Sequence, residues 1–198
     1  MTDKPTFSRI VLASGSAARR ELLDRLGISF LVDPADIDET PGPGEAPAAL
    51  VERLARSKAR AVAERRPGAL IIGSDQLAVF EGVSLGKPGT AERARQQLAR
   101  FSGREVTFLT GVCVLDTSRV EEQYALDTTT VRFRALGEEE IARYVAQDRP
   151  LACAGAFKVE SLGPSLFESV HSEDPTGLQG LPLIRLSALL RKAGCTLP

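Results

Sequence analysis

The sequence predicts an α/β fold, a mixed twisted sheet flanked by helices, and three observations carry that prediction. In the first half, short apolar runs alternate with segments of helical periodicity, the order that lays strands side by side. In the second half, Val106, Phe108, Val112 and Val114 share one parity. Val131 and Phe133 do the same against Arg132 and Arg134, which is the period of sheet strands joined by hairpins. Finally, 198 residues, 43% of them apolar, suffice for one core, and no repeat, low-complexity tract or linker divides the chain. A single domain over residues 1–198 is expected.

The elements follow in order. Arg9 to Ala13 (RIVLA) reads as a short buried strand, followed by the small polar turn SGS and a helix over Ala17–Leu26 that Gly27 stops. Phe30–Val32 reads as a second strand, and Pro34 to Pro47 as a loop rich in Pro, Gly and acids. Ala48–Glu64 has a long helical period that breaks before Pro67. Leu70–Ser74 (LIIGS) is another buried strand, with a hairpin through Glu81-Gly82 and a helix over Ala91–Arg100 capped by Thr90. Helices over Glu138–Ala146 and Pro182–Lys192 close the chain, with Gly194 as the last stop.

Composition excludes several classes. Twenty-five basic residues face twenty-six acidic ones, which leaves no electrostatic footprint for a stable nucleic-acid partner or a membrane surface. Ten aromatics and no Trp offer little for base stacking on a single strand. Three cysteines, Cys113, Cys153 and Cys195, lack metal-ligand spacing and suit a reducing compartment. The first residues show no basic and apolar leader, and no stretch reaches bilayer-spanning length, so a cytoplasmic protein is expected. The single His171 sits in a polar segment without a Ser or Cys partner motif, which argues against a Ser-His-Asp hydrolase. Five lysines (Lys4, Lys58, Lys87, Lys158 and Lys192) stand against twenty arginines, so each lysine position is informative.

Function is read where the pattern breaks a local rule. On the helix from Ala48, the apolar stripe runs Val51, Leu54, Ala55, Ala61 and Val62, and Lys58 falls in its middle, within about 40° of Val51, Leu54 and Val62 at 100° per residue. Arg53, Arg56 and Arg60 fall off the stripe, where a solvated charge belongs. Either Lys58 snorkels from a boundary position, or its ammonium meets an anion in a cleft. Arg19 likewise shares a face with Leu22, Leu23 and Leu26, in the first helical turn, where free N–H groups favour an anion. Ser14, Gly15 and Ser16 suit a phosphate-cradling nest or a simple N-cap by Ser16. Asp75 stands at the end of LIIGS, where ligands bind α/β sheets. Asp36, Asp38 and Glu39 add carboxylates in a loop, and Lys87 sits on a rigid Gly-Lys-Pro turn. Together, carboxylates from two segments suit Mg²⁺ or Mn²⁺ with substrate phosphates, and Arg19, Lys58 and Lys87 neutralise a polyphosphate. A nucleoside triphosphate is the expected substrate.

The stretches LASGSAARRELL, DIDET, LARSKA, IIGSDQ, LGKP, FSGREVTFLTG, CAGAFKVES and GLPL jointly resemble the Maf family of nucleoside triphosphate pyrophosphatases over nearly the whole chain. GSDQ and AGAFKVES look most like the branch acting on 7-methyl-GTP rather than that acting on dTTP and UTP. The resemblance implies two lobes around a cleft, related to the inosine triphosphatase fold. It also implies hydrolysis between the α- and β-phosphates with a divalent cation, and it is compatible with a homodimer. By motif, Asp75 matches the catalytic acid, described as the proton acceptor, and Ser14, Arg19, Asp38, Lys58 and Lys87 match other site positions. Positions tied to substrate choice fall on Ala18, Gln76 and Glu160. Ala18 departs from both branches, which commonly carry Trp or Arg there, so the base stays open at that position.

The expected mechanism follows. Asp75 and Asp38, with Glu39 as a further candidate, hold the ion, while Asp75 activates water for attack at the α-phosphorus. Lys58, Lys87 and Arg19 stabilise the departing pyrophosphate. Ser14 and Ser16 contact the phosphates, Glu160 attracts the cationic 7-methylguanine, and Gln76 offers both donor and acceptor to a base edge. Lys158 and Asp174 are further polar groups near these segments without an assigned role. The alternatives are hydrolysis of dTTP, UTP or another modified nucleotide, and a non-catalytic nucleotide-binding regulator of septum formation.

Overall fold

The computed structural model describes residues 10–197, so Lys4 and Arg9 lie outside the described residues. Seven strands form one mixed sheet: β1 (Ile10–Leu12), β2 (Phe30–Val32), β3 (Leu70–Phe80), β4 (Val83–Leu85), β5 (Glu105–Asp116), β6 (Glu121–Phe133) and β7 (Phe167–His171). Five helices accompany it: α1 (Ala17–Asp24), α2 (Pro47–Ala63), α3 (Ala91–Phe101), α4 (Glu138–Asp148) and α5 (Leu183–Lys192). The order is β2-β1-β3-β5-β6-β7, with β4 beside β3. β1 runs parallel to β2 and β3, and the remaining pairs are antiparallel. The sheet is mixed, as the two sequence periods imply.

Alternation along β3 distributes the helices. Even-numbered Ile72 packs with Leu22 and Leu23 of α1 and Leu186 and Leu190 of α5. Further along the same face, Ala78 and Phe80 join Leu98 and Phe101 of α3 and Tyr144 and Val145 of α4. Odd-numbered Ile71 meets Ala55, Ala59 and Val62 of α2 on the opposite face. Two cores thus share one face at the two ends of the long strands, and α2 lies across the other.

Gly73 sets how closely α2 approaches. A Cβ there would fall against the Ala55 carbonyl and within 2.8 Å of the Ala59 nitrogen, so only glycine fits under the helix. That approach brings Lys58, one turn beyond Leu54, over Asp75, two residues beyond Gly73.

The feature that makes the site is a gap in strand pairing. β1 pairs with β3 only as far as Ile72, and β4 pairs with β3 only from Ala78 onward. Residues 73–77 therefore have no strand neighbour on that side, although β5 pairs with β3 without a break from Leu70 to Val79. This revises the strand predicted to stop at Ser74: it continues to Phe80, and Asp75 lies in its middle, just beyond the parallel section. Gly73, Ser74, Asp75 and Gln76 are poor strand formers on their own, and the β5 ladder overrides their preference.

Other differences are local. β6 starts at Glu121, well before the Val131–Phe133 alternation. β7 and the 3₁₀ turns Ala154–Ala156, Gly163–Leu166 and Gly177–Gln179 carry no periodic signal. Ala61 is only half-buried, and Ala59 takes its place on the stripe of α2. Arg53, Arg56 and Arg60 are not simply solvated: Arg53 pairs with Glu45, Arg56 with Glu52 and Glu122, and Arg60 with Glu122. Among the described residues, no helix is long and apolar enough to cross a membrane.

Candidate active site

The gap beside residues 73–77 floors a cleft of about 410 Å³. A second hollow of about 540 Å³ over the β1–α1 turn shares Arg19, Glu39, Lys58 and Lys87 with it. Asp75 lies on the floor, 6% exposed, and Lys58 descends on it from α2, 7% exposed. The Lys58 Nζ lies 2.6 Å from Asp75 Oδ1 and 2.6 Å from Glu39 Oε1. Lys58 therefore interrupts its apolar stripe to join two carboxylates, and snorkelling is excluded. Burial pushes the Glu39 carboxyl upward, but the hydrogen bond and charge of Lys58, with Lys87 and Arg19, outweigh it and hold Glu39 below its usual value.

Arg19 enters from the first turn of α1. Its Nε donates to Gly180 O at 2.8 Å and its Nη1 to Ser14 Oγ at 3.3 Å. Burial lowers the guanidinium pKa, opposed by Asp75 and Glu39; an arginine stays charged regardless. Ser16 Oγ accepts from Arg19 N at 3.4 Å, so Ser16 is the N-cap of α1. Ser14 Oγ accepts from Ser16 N at 3.2 Å as well as from Arg19. Both hydroxyls act here as acceptors, which keeps their hydrogens for an anion. Lys87 approaches from the opposite side of the gap, on the turn after β4, where Gly89 N donates to Leu151 O at 2.9 Å. Three cations and two serines thus surround a buried carboxylate.

The rest of the cleft is less charged. Ala18, Gln76 and Glu160 line it, together with Leu50 and Leu54 of α2 and Phe157 and Val159. Sequence reasoning missed these four apolar residues. Leu54 was already on the stripe that exposed Lys58, and Phe157 and Val159 flank Lys158.

Two expectations, those for Asp38 and Gln76, need correction, and the unassigned Lys158 and Asp174 take structural roles. Asp38 is exposed and does not line the cleft; its Oδ1 accepts from Thr40 N at 2.9 Å, an Asx-type turn that occupies the carboxylate locally. Its neighbour Glu39 faces inward instead, since consecutive side chains of an extended loop diverge. Gln76 does not offer a free amide donor: Nε2 is committed to Thr110 Oγ1, Gly177 O and Leu178 O at 3.1, 2.9 and 3.1 Å. Lys158 turns away and donates to Asp148 O at 2.6 Å. Asp174, fully buried, caps α5 through Oδ2, which accepts from Ile184 N at 2.7 Å and Arg185 N at 3.1 Å.

A divalent cation is compatible with this donor set. Among the described residues no three His, Cys, Asp or Glu side chains gather around one point. Asp75 and Glu39 nevertheless converge on one ammonium, and two hard carboxylates with substrate phosphate oxygens are a set that Mg²⁺ or Mn²⁺ accepts.

Comparison with known proteins places the chain in a family. The model of the Maf-like protein family matches residues 9–193. A 7-methyl-GTP pyrophosphatase of Xanthomonas oryzae pv. oryzae is 53% identical over 190 residues, 96% of this chain and 99% of that relative. Proteins of the same name from Chromohalobacter salexigens and Pseudomonas aeruginosa are each 52% identical, covering 95% and 96% of this chain and 97% and 98% of their own lengths. Among solved structures, the Staphylococcus aureus Ham1 protein superposes with a TM-score of 0.54 at 14% identity, over 93% of this chain and 99% of its own, which establishes a shared fold. The chain belongs to the Maf family.

Proposed function

We propose that this protein hydrolyses 7-methyl-GTP between its α- and β-phosphates, releasing the nucleoside monophosphate and pyrophosphate. The observation that carries the reading is the buried Asp75–Lys58 pair, joined by the more exposed Glu39, at the floor of a cleft ringed by Arg19, Lys87 and the Ser14–Ser16 turn. The name shared by relatives of about half-identical sequence supports the choice of substrate.

The triphosphate lies over the Ser14–Ser16 turn, where the N-terminus of α1, Arg19 and Lys87 oppose its charge. Lys58 engages Asp75 Oδ1, leaving Oδ2 to accept a proton from water attacking the α-phosphorus. As the bond to the β-phosphate breaks, Arg19, Lys58 and Lys87 stabilise the charge that gathers on pyrophosphate. Asp75 and Glu39 would hold a Mg²⁺ or Mn²⁺, which would supply further charge neutralisation on the phosphates. In the other half of the cleft, Leu50, Leu54, Phe157 and Val159 offer apolar surface to the base, and Glu160 offers a carboxylate. Methylation at N7 makes guanine cationic, so this carboxylate favours 7-methyl-GTP over GTP.

Asp75→Asn tests the chemistry: kcat is expected to fall about 10²–10⁴-fold with the protein still folded, and unchanged turnover refutes the assignment. Pyrophosphate release lost on chelation and restored by Mg²⁺ or Mn²⁺ separates an enzyme from a non-catalytic nucleotide-binding regulator.

A further inference from the structure

We propose that Tyr144, Asp148 and Lys158 are positioning residues that set nucleotide discrimination, by fixing the cleft wall that carries Phe157, Val159 and Glu160. The inference rests on the reading that this wall faces the base. The wall is irregular chain: after the 3₁₀ turn Ala154–Ala156 no regular hydrogen bonding resumes until Gly163. A loop of this kind presents a reading group accurately only when side chains hold it.

The holding bonds all converge on the last turn of α4. Tyr144 Oη accepts from Lys158 N at 3.0 Å and donates to Asp148 Oδ2 at 2.7 Å. Ser161 Oγ donates to Asp148 Oδ1 at 2.7 Å. The Lys158 ammonium donates to Asp148 O at 2.6 Å, at a helix C-terminus, where a cation is favoured. Lys158 and Ser161 are thus tied down on either side of Val159 and Glu160, the two residues turned to the cleft. Tyr144 and Asp148, four residues apart, share one face of α4 and are 5% and 6% exposed, so water does not compete for these bonds. The backbone of the wall is braced as well: Lys158 O accepts from Gly163 N at 2.9 Å, and a Cβ at Gly163 would lie within 2.8 Å of the Lys158 carbonyl carbon. The same helix end reaches the phosphate half, because Leu151 O receives Gly89 N, two residues from Lys87. Lys158, whose side chain does not line the cleft, acts through the position of its neighbours.

The test is kcat/KM for 7-methyl-GTP and for GTP in the full chain, its Tyr144→Phe, Lys158→Met and Lys158→Arg variants, and Glu160→Gln. Tyr144→Phe removes one hydroxyl and keeps the ring, so it remains informative where Lys158→Met folds poorly. The expected result is a loss of discrimination of about three- to tenfold in Tyr144→Phe and Lys158→Met, mostly through KM for 7-methyl-GTP, with kcat nearly unchanged and partial rescue in Lys158→Arg. Equal changes for both nucleotides, or a lowered melting temperature with the ratio intact, overturn the proposal and leave a merely structural cluster. Glu160→Gln separates the two layers. An unchanged ratio there refutes the charge reading of Glu160, whereas the brace stands or falls on the ratio in its own variants.

Discussion

Lys58 is the residue at which stability and the proposed chemistry meet. It occupies a core position of α2 with its charge satisfied by Asp75 and Glu39. Lys58→Ala removes the shared partner and leaves Asp75 buried without compensation, a loss on the order of 3 kcal/mol. The expected outcome is a folded protein with a depressed melting temperature and no measurable turnover; full activity would remove Lys58 from the mechanism. Asp127 makes a second, independent case. It is 1% exposed, its Oδ1 has no hydrogen-bond partner, and its Oδ2 lies 3.2 Å from Thr129 Oγ1. Thr129 Oγ1 donates to Asp127 Oδ2 but shares its one hydrogen with Ser172 Oγ at 2.9 Å, so the buried carboxylate has at most one shared donor. Burial, aided by Asp174 and Glu173 and opposed by the Thr129 bond and Arg185, pushes this carboxyl up. The folded state then keeps a proton that the unfolded state has already lost, so stability falls as pH rises above the ordinary carboxylate range. Asp127→Asn, which supplies a permanent donor, is expected to flatten that part of the urea-midpoint profile and to stabilise the protein at neutral pH; an unaltered slope contradicts the assignment. Lys58 and Arg19 were legible in the sequence because each interrupts an apolar helical stripe, and Asp75 because it follows the apolar run LIIGS. The choice between Asp38 and Glu39 was not, because a loop has no period to say which neighbour faces in.

At the scale of elements, the fold places its site by interrupting a ladder. β1 and β4 contact the same edge of β3 on either side of residues 73–77, and the backbone left between them floors the cleft. Gly73 is the hinge of this arrangement, since α2 rests directly on it. Gly73→Ala is expected to cost about 2–4 kcal/mol, at or above the usual range for an overpacked core, because the obstacle is backbone rather than a movable side chain. It should also reduce turnover by shifting Lys58 away from Asp75; wild-type melting and activity together would show that α2 is free to move. The terminal helix has its own anchor in Asp174, and Asp174→Ala should lower stability by about 1–2 kcal/mol through the lost cap. Helix limits were readable to within a few residues from Gly27, Thr90 and Gly194, which act locally. The true length of β3, the early part of β6 and the whole of β7 were not. Their pairing partners lie far along the chain, and polar residues such as Ser74, Asp75 and Gln76 show strand preference only once paired.

The whole molecule separates two kinds of recognition. One part of the cleft gathers Arg19, Lys58, Lys87 and the serine turn, proposed to take the phosphates, and the rest presents apolar walls and Glu160. A formal net charge of −1 conceals this segregation, which is why composition excluded a polyanionic polymer but not a small polyanionic ligand. Ala18 lines the cleft as a small residue, so on the proposed reading the base meets charge and apolar contact rather than an aromatic plate at that point. The central claim is accordingly that the cleft selects a cationic purine triphosphate. The direct measurement is kcat/KM for 7-methyl-GTP, GTP, UTP and dTTP, followed by pyrophosphate release in the presence of Mg²⁺ or Mn²⁺. The account predicts the highest value for 7-methyl-GTP, with a margin over GTP that shrinks in Glu160→Gln. Equal values for 7-methyl-GTP and GTP, or a preference for UTP or dTTP, would contradict it.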